Sequence, residues 1–184
     1  AYRGIPGGRV ALLGQPSTPT EKADKMVDIY CDAATLADIE RFSDDPAVQG
    51  FTTNPSLLKK AGITNYREFA KLVLQRVGNK PVSFEVLADD FKTMEKQARE
   101  IASWGPNVWV KIPITNTNAD PSLWLINELS DIKINCTAVM TRYQITQALG
   151  FLKSDDILSI FVGRITDTGV SAVEALSPAL GYVK

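Results

Sequence analysis

The chain has 184 residues, 45% hydrophobic and 22% charged, and its 20 basic and 21 acidic side chains give a formal net charge of −1. This composition is typical of one globular domain and gives no indication of a surface for nucleic acid or membrane. No apolar run approaches the ~20 residues of a membrane span, and the first residues do not resemble a secretion signal. We therefore expect a cytoplasmic protein.

Histidine is absent from the sequence, so catalytic triads and the usual zinc sites that depend on it are excluded. Acid–base chemistry would fall to Asp, Glu, Lys, Tyr or water. The only cysteines, Cys31 and Cys136, lie in apolar runs, which favours buried thiols in a reducing cytosol over a disulfide.

Residues 1–26 are rich in Gly, Pro, Ser and Thr and predict an extended arm or linker, with a short accessory strand at 9–13 as the alternative. From there to residue 184 we predict one domain in which strands and helices alternate. The predicted strands are VDIYCD (27–32), GFTTN (50–54), VSFEV (82–86), VWVKIP (108–113), INCTAV (134–139) and ILSIFVGRI (157–165). This alternation predicts a parallel sheet with right-handed crossovers.

The helical segments between the strands carry capping and periodicity signals. TLADIERFSDD opens with Thr35 as a candidate N-cap, and NYREFAKLVLQRVG has an apolar face and stops at a glycine. The remaining predicted helices are ADDFKTMEKQAREIASWG, PSLWLINELSD and RYQITQALGFL.

Polar residues lie at or near the carboxyl ends of nearly all the predicted strands. They are Asp32, Asn54, Glu85, Lys111, Asn135, Thr137 and Arg164. No glycine-rich fingerprint follows the first strand, which disfavours a dinucleotide-binding sheet. Catalytic groups of a (β/α)8 barrel lie at the carboxyl ends of its strands, so the pattern favours that fold.

Lys111 is the one charge within an apolar strand, and burying an ammonium is costly unless it is paired, neutralised or used in chemistry. Strand alternation puts Trp109, Lys111 and Pro113 on one face and the aliphatic residues on the other. We expect Lys111 to point into the barrel, in a site walled partly by Trp109 and Phe161. An amine in such surroundings is a candidate nucleophile toward a carbonyl.

At this point a family resemblance becomes visible. IYCDAATLADI, GFTTNPSLL, SFEV, VWVKIPIT, INCTAVM and SIFVGRITDTG resemble, in order and spacing, segments of the transaldolase family, which includes fructose-6-phosphate aldolase-like members. The resemblance runs from about residue 27 to residue 169. It implies a (β/α)8 barrel and a class I aldol mechanism through a lysine Schiff base, without metal or organic cofactor.

The resemblance also implies roles for individual residues. Lys111 in VKIP is the Schiff-base lysine, Asp32 acts in carbon–carbon bond cleavage, and Glu85 is an acid–base group that works through a water held by Thr137. The implied substrate-binding residues are Asn54 and Asn135 for donor hydroxyls, and Ser159 and Arg164 for the phosphate. Substrates would be sugar phosphates of the fructose 6-phosphate and sedoheptulose 7-phosphate class, with no nucleic-acid partner, and relatives commonly form homo-oligomers.

Free-standing fructose-6-phosphate aldolases of the family tend to carry Gln where Glu85 stands and Tyr where Phe161 stands. We therefore favour transfer of a dihydroxyacetone unit between sugar phosphates over release of free dihydroxyacetone. A non-catalytic binding or scaffold protein is a third interpretation. Each site residue also has a structural alternative; Arg164, for example, would pair with Asp167.

The sequence departs from the family pattern after VGRITDTG. Strands seven and eight of the barrel are not evident in the residues that follow, and the family's further serine contact to phosphate has no counterpart. The missing strands would belong to a longer chain of which this sequence is a part, come from another chain, or have been lost in a degenerate relative. RVALLG in the N-terminal segment would be suited to covering an exposed edge.

Overall fold

The computed structural model describes residues 9–12, 28–33 and 35–180, and its strands form one seven-stranded sheet. The strands are β1 (Arg9–Leu12), β2 (Ile29–Asp32), β3 (Val48–Thr52), β4 (Val82–Glu85), β5 (Val108–Pro113), β6 (Ile134–Val139) and β7 (Ile157–Ile160). The helices are α1 (Leu36–Ser43), α2 (Pro55–Lys60), α3 (Tyr66–Val77), α4 (Phe91–Ala102), α5 (Leu123–Glu128), α6 (Arg142–Leu149), α7 (Val162–Asp167) and α8 (Ala172–Leu180).

All neighbouring strands are parallel, in the order β1-β7-β6-β5-β4-β3-β2. Cα atoms of β1 and β2, the two ends of that order, also come within 8 Å of each other, so the sheet curls round toward closure. The six predicted strands therefore form a partial (β/α)8 barrel, as the fold-class prediction stated.

The N-terminal segment contributes β1, which pairs with β7 and lies on the side of the curled sheet that leads back to β2. The alternative of an accessory strand at 9–13 is thus confirmed for residues 9–12. The rest of the predicted arm, apart from those four residues, lies outside the described residues, and the domain boundary at residue 26 stays a prediction.

The last predicted strand was too long. β7 ends at Ile160, and Val162–Asp167 form α7 instead. Ile157, Leu158 and Ile160 are buried, whereas Ile165 is the only buried residue of α7. The run VGRITD lacks the alternation of apolar and polar residues that would bury one face of a strand. Its one buried residue, Ile165, fits a short helix that contacts the core once per turn.

Capping decides where most helices begin. The side chains of Thr35, Asn54, Asn65, Asp90 and Thr141 each accept a backbone N–H of the first turn of their helix. Sequence analysis assigned the Thr35 cap correctly but missed the short helices α2 and α8.

The apolar core lies between the sheet and the helices that surround it. Val108, Val110 and Ile112 of β5 are buried on the face opposite Lys111 and fit the predicted alternation. On α3, Phe69, Val73 and Val77 are buried as the periodicity predicted. None of the helices in the described part of the chain has the length and apolar character needed to cross a bilayer.

Gly50 is the close-packing point between β2 and β3, where it lies opposite Tyr30 in the register. A Cβ added there would meet the Tyr30 ring and lie 2.8 Å from the carbonyl oxygen of Pro81. We expect Gly50→Ala to lower the free energy of unfolding by about 1–3 kcal/mol, measured by denaturant titration. Gly163→Ala is the control, because a Cβ there meets nothing within 4 Å. An equal loss in both variants would contradict this account.

Candidate active site

Lys111 extends from β5 into the inside of the curled sheet and is 3% exposed. Its Nζ donates a hydrogen bond to the carbonyl oxygen of Thr53 at 3.1 Å and lies 3.4 Å from Oε2 of Glu85. The predicted inward direction of the lysine is therefore what the structure shows. A buried amine with one carboxyl group and one carbonyl oxygen as partners meets the condition that makes burial tolerable.

The parallel register brings the polar residues into one layer. Glu85 of β4 is paired with Lys111 of β5, and Lys111 is paired with Asn135 of β6. Register partners of a parallel sheet point to the same face, so these three side chains converge on the inside. Thr137 stands one layer above, opposite Pro113.

Glu85 has the electrostatic environment of an acid–base group. Burial raises its pKa above the usual value for a glutamic acid, and the negative charge of Asp32 adds to the rise, while the nearby Lys111 opposes it. Since burial is the larger effect, the carboxyl keeps its proton to a higher pH than a solvated one would.

Asp32 ends β2 with an exposed side chain, and its Oδ1 accepts a hydrogen bond from Oγ1 of Thr52 at 2.9 Å. The adjacent strand therefore orients this carboxylate. The register pairs Asp32 with Thr52 and Thr52 with Ser83, two residues before Glu85, so Asp32 lies on the same face of the sheet as Glu85. Asp32 and Glu85 thus provide the site with one exposed and one largely buried carboxyl group.

A buried hydrogen-bond chain lies beside the lysine. Nδ2 of Asn135 donates to Oγ of Ser83 at 3.0 Å, and Oγ of Ser159 donates to Oδ1 of Asn135 at 2.7 Å. The three side chains are each at most 2% exposed. Asn135 and Ser159, both predicted to bind substrate, therefore hold each other in fixed positions across the inner face.

Thr137 has a buried Oγ1 that makes no hydrogen bond within the described residues. It lies where the β6–β7 register is irregular, and the next residue, Ala138, has φ 57°. Irregularities of this kind commonly re-aim a side chain next to a functional site. An unpartnered buried hydroxyl is costly and is suited to holding a small polar molecule.

The two remaining predicted residues lie outside the strands of the sheet. Asn54 is the N-cap of α2, and its Oδ1 accepts from the backbone N–H of Leu57 at 2.9 Å. Arg164 lies on α7, not at a strand end as predicted, and its side chain is 74% exposed. It forms the alternative ion pair with Asp167, at 3.7 Å. Such an exposed pair is weak and leaves the guanidinium accessible to a phosphate.

Trp109 is not part of the site wall, contrary to expectation. Its Nε1 donates to the carbonyl oxygen of Asp155 at 2.8 Å, and Nζ of Lys133 lies 4.4 Å from its ring centroid. Both partners come just before strands, so the ring lies at the amino ends of the sheet. The alternation correctly predicted that Trp109 and Lys111 share a face of β5. They are two positions apart along the strand, however, which separates them by about 6.6 Å.

Sequence analysis missed three groups that the structure adds to the site. They are the Thr53 carbonyl, the Ser83 hydroxyl and the phenol of Tyr66, which bonds to the backbone of Glu85. Ser83 shares the strand face of Glu85 and was recoverable from alternation. The other two depend on a backbone atom and on a distant helix, which no local pattern reveals.

Comparison with known proteins shows which family the chain belongs to. Residues 29–182 match the family model described as transaldolase/fructose-6-phosphate aldolase. The chain belongs to this family. Within residues 28–33 and 35–180, no three His, Cys, Asp or Glu side chains are placed to hold a metal ion.

Several curated relatives are named probable transaldolase. One from Dehalococcoides mccartyi is 38% identical over 159 residues, which are 85% of this chain and 70% of the relative. One from Streptococcus agalactiae is 36% identical over 146 residues, 78% of this chain and 64% of the relative. One from Thermoplasma volcanium is 37% identical over 153 residues, 80% and 65% respectively. The chain thus spans about two thirds of the length of these relatives.

The raised pKa of Glu85 predicts that Glu85→Gln changes the melting temperature, relative to the wild-type protein, by an amount that depends on pH. Folding raises this pKa, so the ionised carboxyl costs folding free energy, and the cost appears as pH rises through the unfolded and then the folded pKa. The melting temperature of Glu85→Gln relative to the wild-type protein should therefore increase as the pH is raised from about 4.5, the ordinary pKa of a glutamic acid, toward alkaline pH. Calorimetry across this range measures it. A difference that stays constant, or that falls as pH rises, would contradict the prediction.

Proposed function

We propose that this protein transfers a dihydroxyacetone unit between sugar phosphates through a Schiff base on Lys111. The observation that supports the proposal most strongly is that Nζ of Lys111 is buried 3.4 Å from the Glu85 carboxyl, inside a partial (β/α)8 barrel. Membership of the transaldolase/fructose-6-phosphate aldolase family and the relatives named probable transaldolase support it further. Catalytic groups of such barrels come from the carboxyl ends of several strands.

In the first step, the uncharged amine of Lys111 adds to the ketone carbon of the donor sugar phosphate and gives a carbinolamine. Loss of water from the carbinolamine leaves the imine. Both steps need proton transfer, and Glu85 would supply it through a water held by Thr137. The raised pKa of Glu85 and the unpartnered Oγ1 of Thr137 suit these two roles.

In the second step, Asp32 would take the proton of the C4 hydroxyl while the C3–C4 bond breaks. The electron pair of that bond moves to the imine and gives an enamine, and an aldehyde leaves. The enamine then attacks an acceptor aldehyde, Asp32 returns its proton to the new hydroxyl, and water releases the product ketose. The exposed end of Asp32, anchored by Thr52, is suited to reach a sugar hydroxyl.

The remaining predicted residues would bind the sugar phosphate. Asn54 and Asn135 would contact donor hydroxyls, and the exposed guanidinium of Arg164 would hold the phosphate. For Ser159 we also propose a supporting role, because its hydroxyl donates to Asn135 and is 2% exposed. Its contact with phosphate stays a prediction.

The assay that tests the proposal uses fructose 6-phosphate as donor and erythrose 4-phosphate as acceptor. We expect sedoheptulose 7-phosphate to form only when the acceptor is present. Lys111→Met should lower the rate at least about a thousandfold, because it removes the nucleophile. The control is Lys96→Met, on the exposed face of α4, which should keep the activity.

Other outcomes of this assay contradict the proposal in separate ways. Free dihydroxyacetone released without an acceptor would show the aldolase alternative. Transfer that survives Lys111→Met would exclude the Schiff base at this lysine. No turnover of any ketose phosphate would show the non-catalytic alternative.

A further inference from the structure

The backbone of Glu85 has an unusual partner on the side facing β3. Its N–H donates to Oη of Tyr66 at 2.8 Å, and the Oη hydroxyl donates back to the carbonyl oxygen of Glu85 at 3.1 Å. Tyr66 is the first residue of α3, on the outside of the sheet. One phenol therefore satisfies both backbone groups of the residue that ends β4.

The hydrogen-bond pattern between β3 and β4 shows which contact the phenol replaces. The N–H of Thr53 donates to the carbonyl of Ser83 at 3.0 Å. In a regular parallel ladder the next bond would run from the N–H of Glu85 to the carbonyl of Thr53. Here that N–H bonds to Tyr66, and the Thr53 carbonyl accepts the hydrogen bond of Lys111 Nζ at 3.1 Å.

We propose that Tyr66 is a positioning residue for the Schiff-base chemistry of Lys111. By taking the place of a ladder acceptor, it fixes the backbone from which the Glu85 carboxyl reaches the amine. Because the Glu85 N–H bonds to Tyr66, the Thr53 carbonyl is left available to hold Nζ of Lys111. This inference rests on the proposed function and adds a residue outside the set that sequence analysis predicted.

The phenol is held in place from several directions. The Tyr66 ring makes edge contacts with Phe84, at 6.0 Å between centroids, and with Trp104, at 5.4 Å. The adjacent Asn65 caps α3 and fixes where the helix begins. Burial also raises the pKa of Tyr66, so its hydroxyl keeps the proton that it donates to Glu85.

Such support matters because imine formation depends on geometry. The amine and the acid–base group must keep their relative positions, and displacements of about 1 Å can cost about a hundredfold in rate. Tyr66 bonds directly to the backbone of Glu85, one partner of Lys111, and leaves the other partner, the Thr53 carbonyl, available to the amine. Loss of the phenol would leave the Glu85 N–H without its acceptor, and the backbone that carries the Glu85 carboxyl would be free to move.

Tyr66→Phe tests the inference because it removes the hydroxyl and keeps the ring. We expect kcat for transfer to fall about 10- to 100-fold per folded enzyme, with KM changed by less than about threefold. The Glu85 amide proton, followed by NMR hydrogen exchange without substrate, should lose protection. In a Glu85→Gln background the same change should cost much less, since residues that act through one another are not additive.

Tyr143→Phe is the matched control, because Tyr143 on α6 is 73% exposed. If Tyr66→Phe equals this control in Glu85 exchange and in kcat, or if its effect is the same with and without Glu85, the inference is wrong. A wild-type protein without transfer activity would instead refute the proposed function. The exchange measurement would then decide alone: unchanged protection in Tyr66→Phe overturns the positioning role, and lost protection supports it.

Discussion

The placement of one amine inside a parallel sheet is the constraint on which the site depends. Lys111 is 3% exposed, and the described residues within reach of its Nζ are the Glu85 carboxyl and the Thr53 carbonyl. Without them a buried amine would be costly. The fold supplies both because β3, β4 and β5 are neighbours and because β3 stops just before Thr53. The carbonyl group that follows the end of β3 thus becomes a hydrogen-bond partner of the buried amine.

The same constraint explains the polar layer around the lysine. The register that places Glu85 beside Lys111 also places Asn135 on the other side. Asn135 is then held by Ser83 and Ser159, so every polar side chain in this layer has a partner. Thr137, one layer above, has a buried hydroxyl with no partner among the described residues, and this is the position where we propose a catalytic water. Polar networks of this kind are rigid when satisfied and costly when incomplete.

Much of this arrangement could be predicted from the sequence. Alternation in VWVKIP predicted the direction of Lys111, and the polar strand ends predicted its neighbours, because period and direction are local properties of a strand. Arg164 and Trp109 were placed wrongly, since a strand's end and the depth of a layer depend on packing with other elements. Tyr66 and the Thr53 carbonyl could not be found at all. Their contacts join α3 to β4 and the residue that follows β3 to β5, all far apart in the sequence.

Reductive trapping tests the central claim most directly. The protein is incubated with fructose 6-phosphate, treated with borohydride, and digested for peptide mapping by mass spectrometry. The account predicts one stable adduct of the dihydroxyacetone unit or the ketose on the peptide that carries Lys111, and no adduct in Lys111→Met. An adduct on a different lysine, or none with any ketose phosphate, would contradict it.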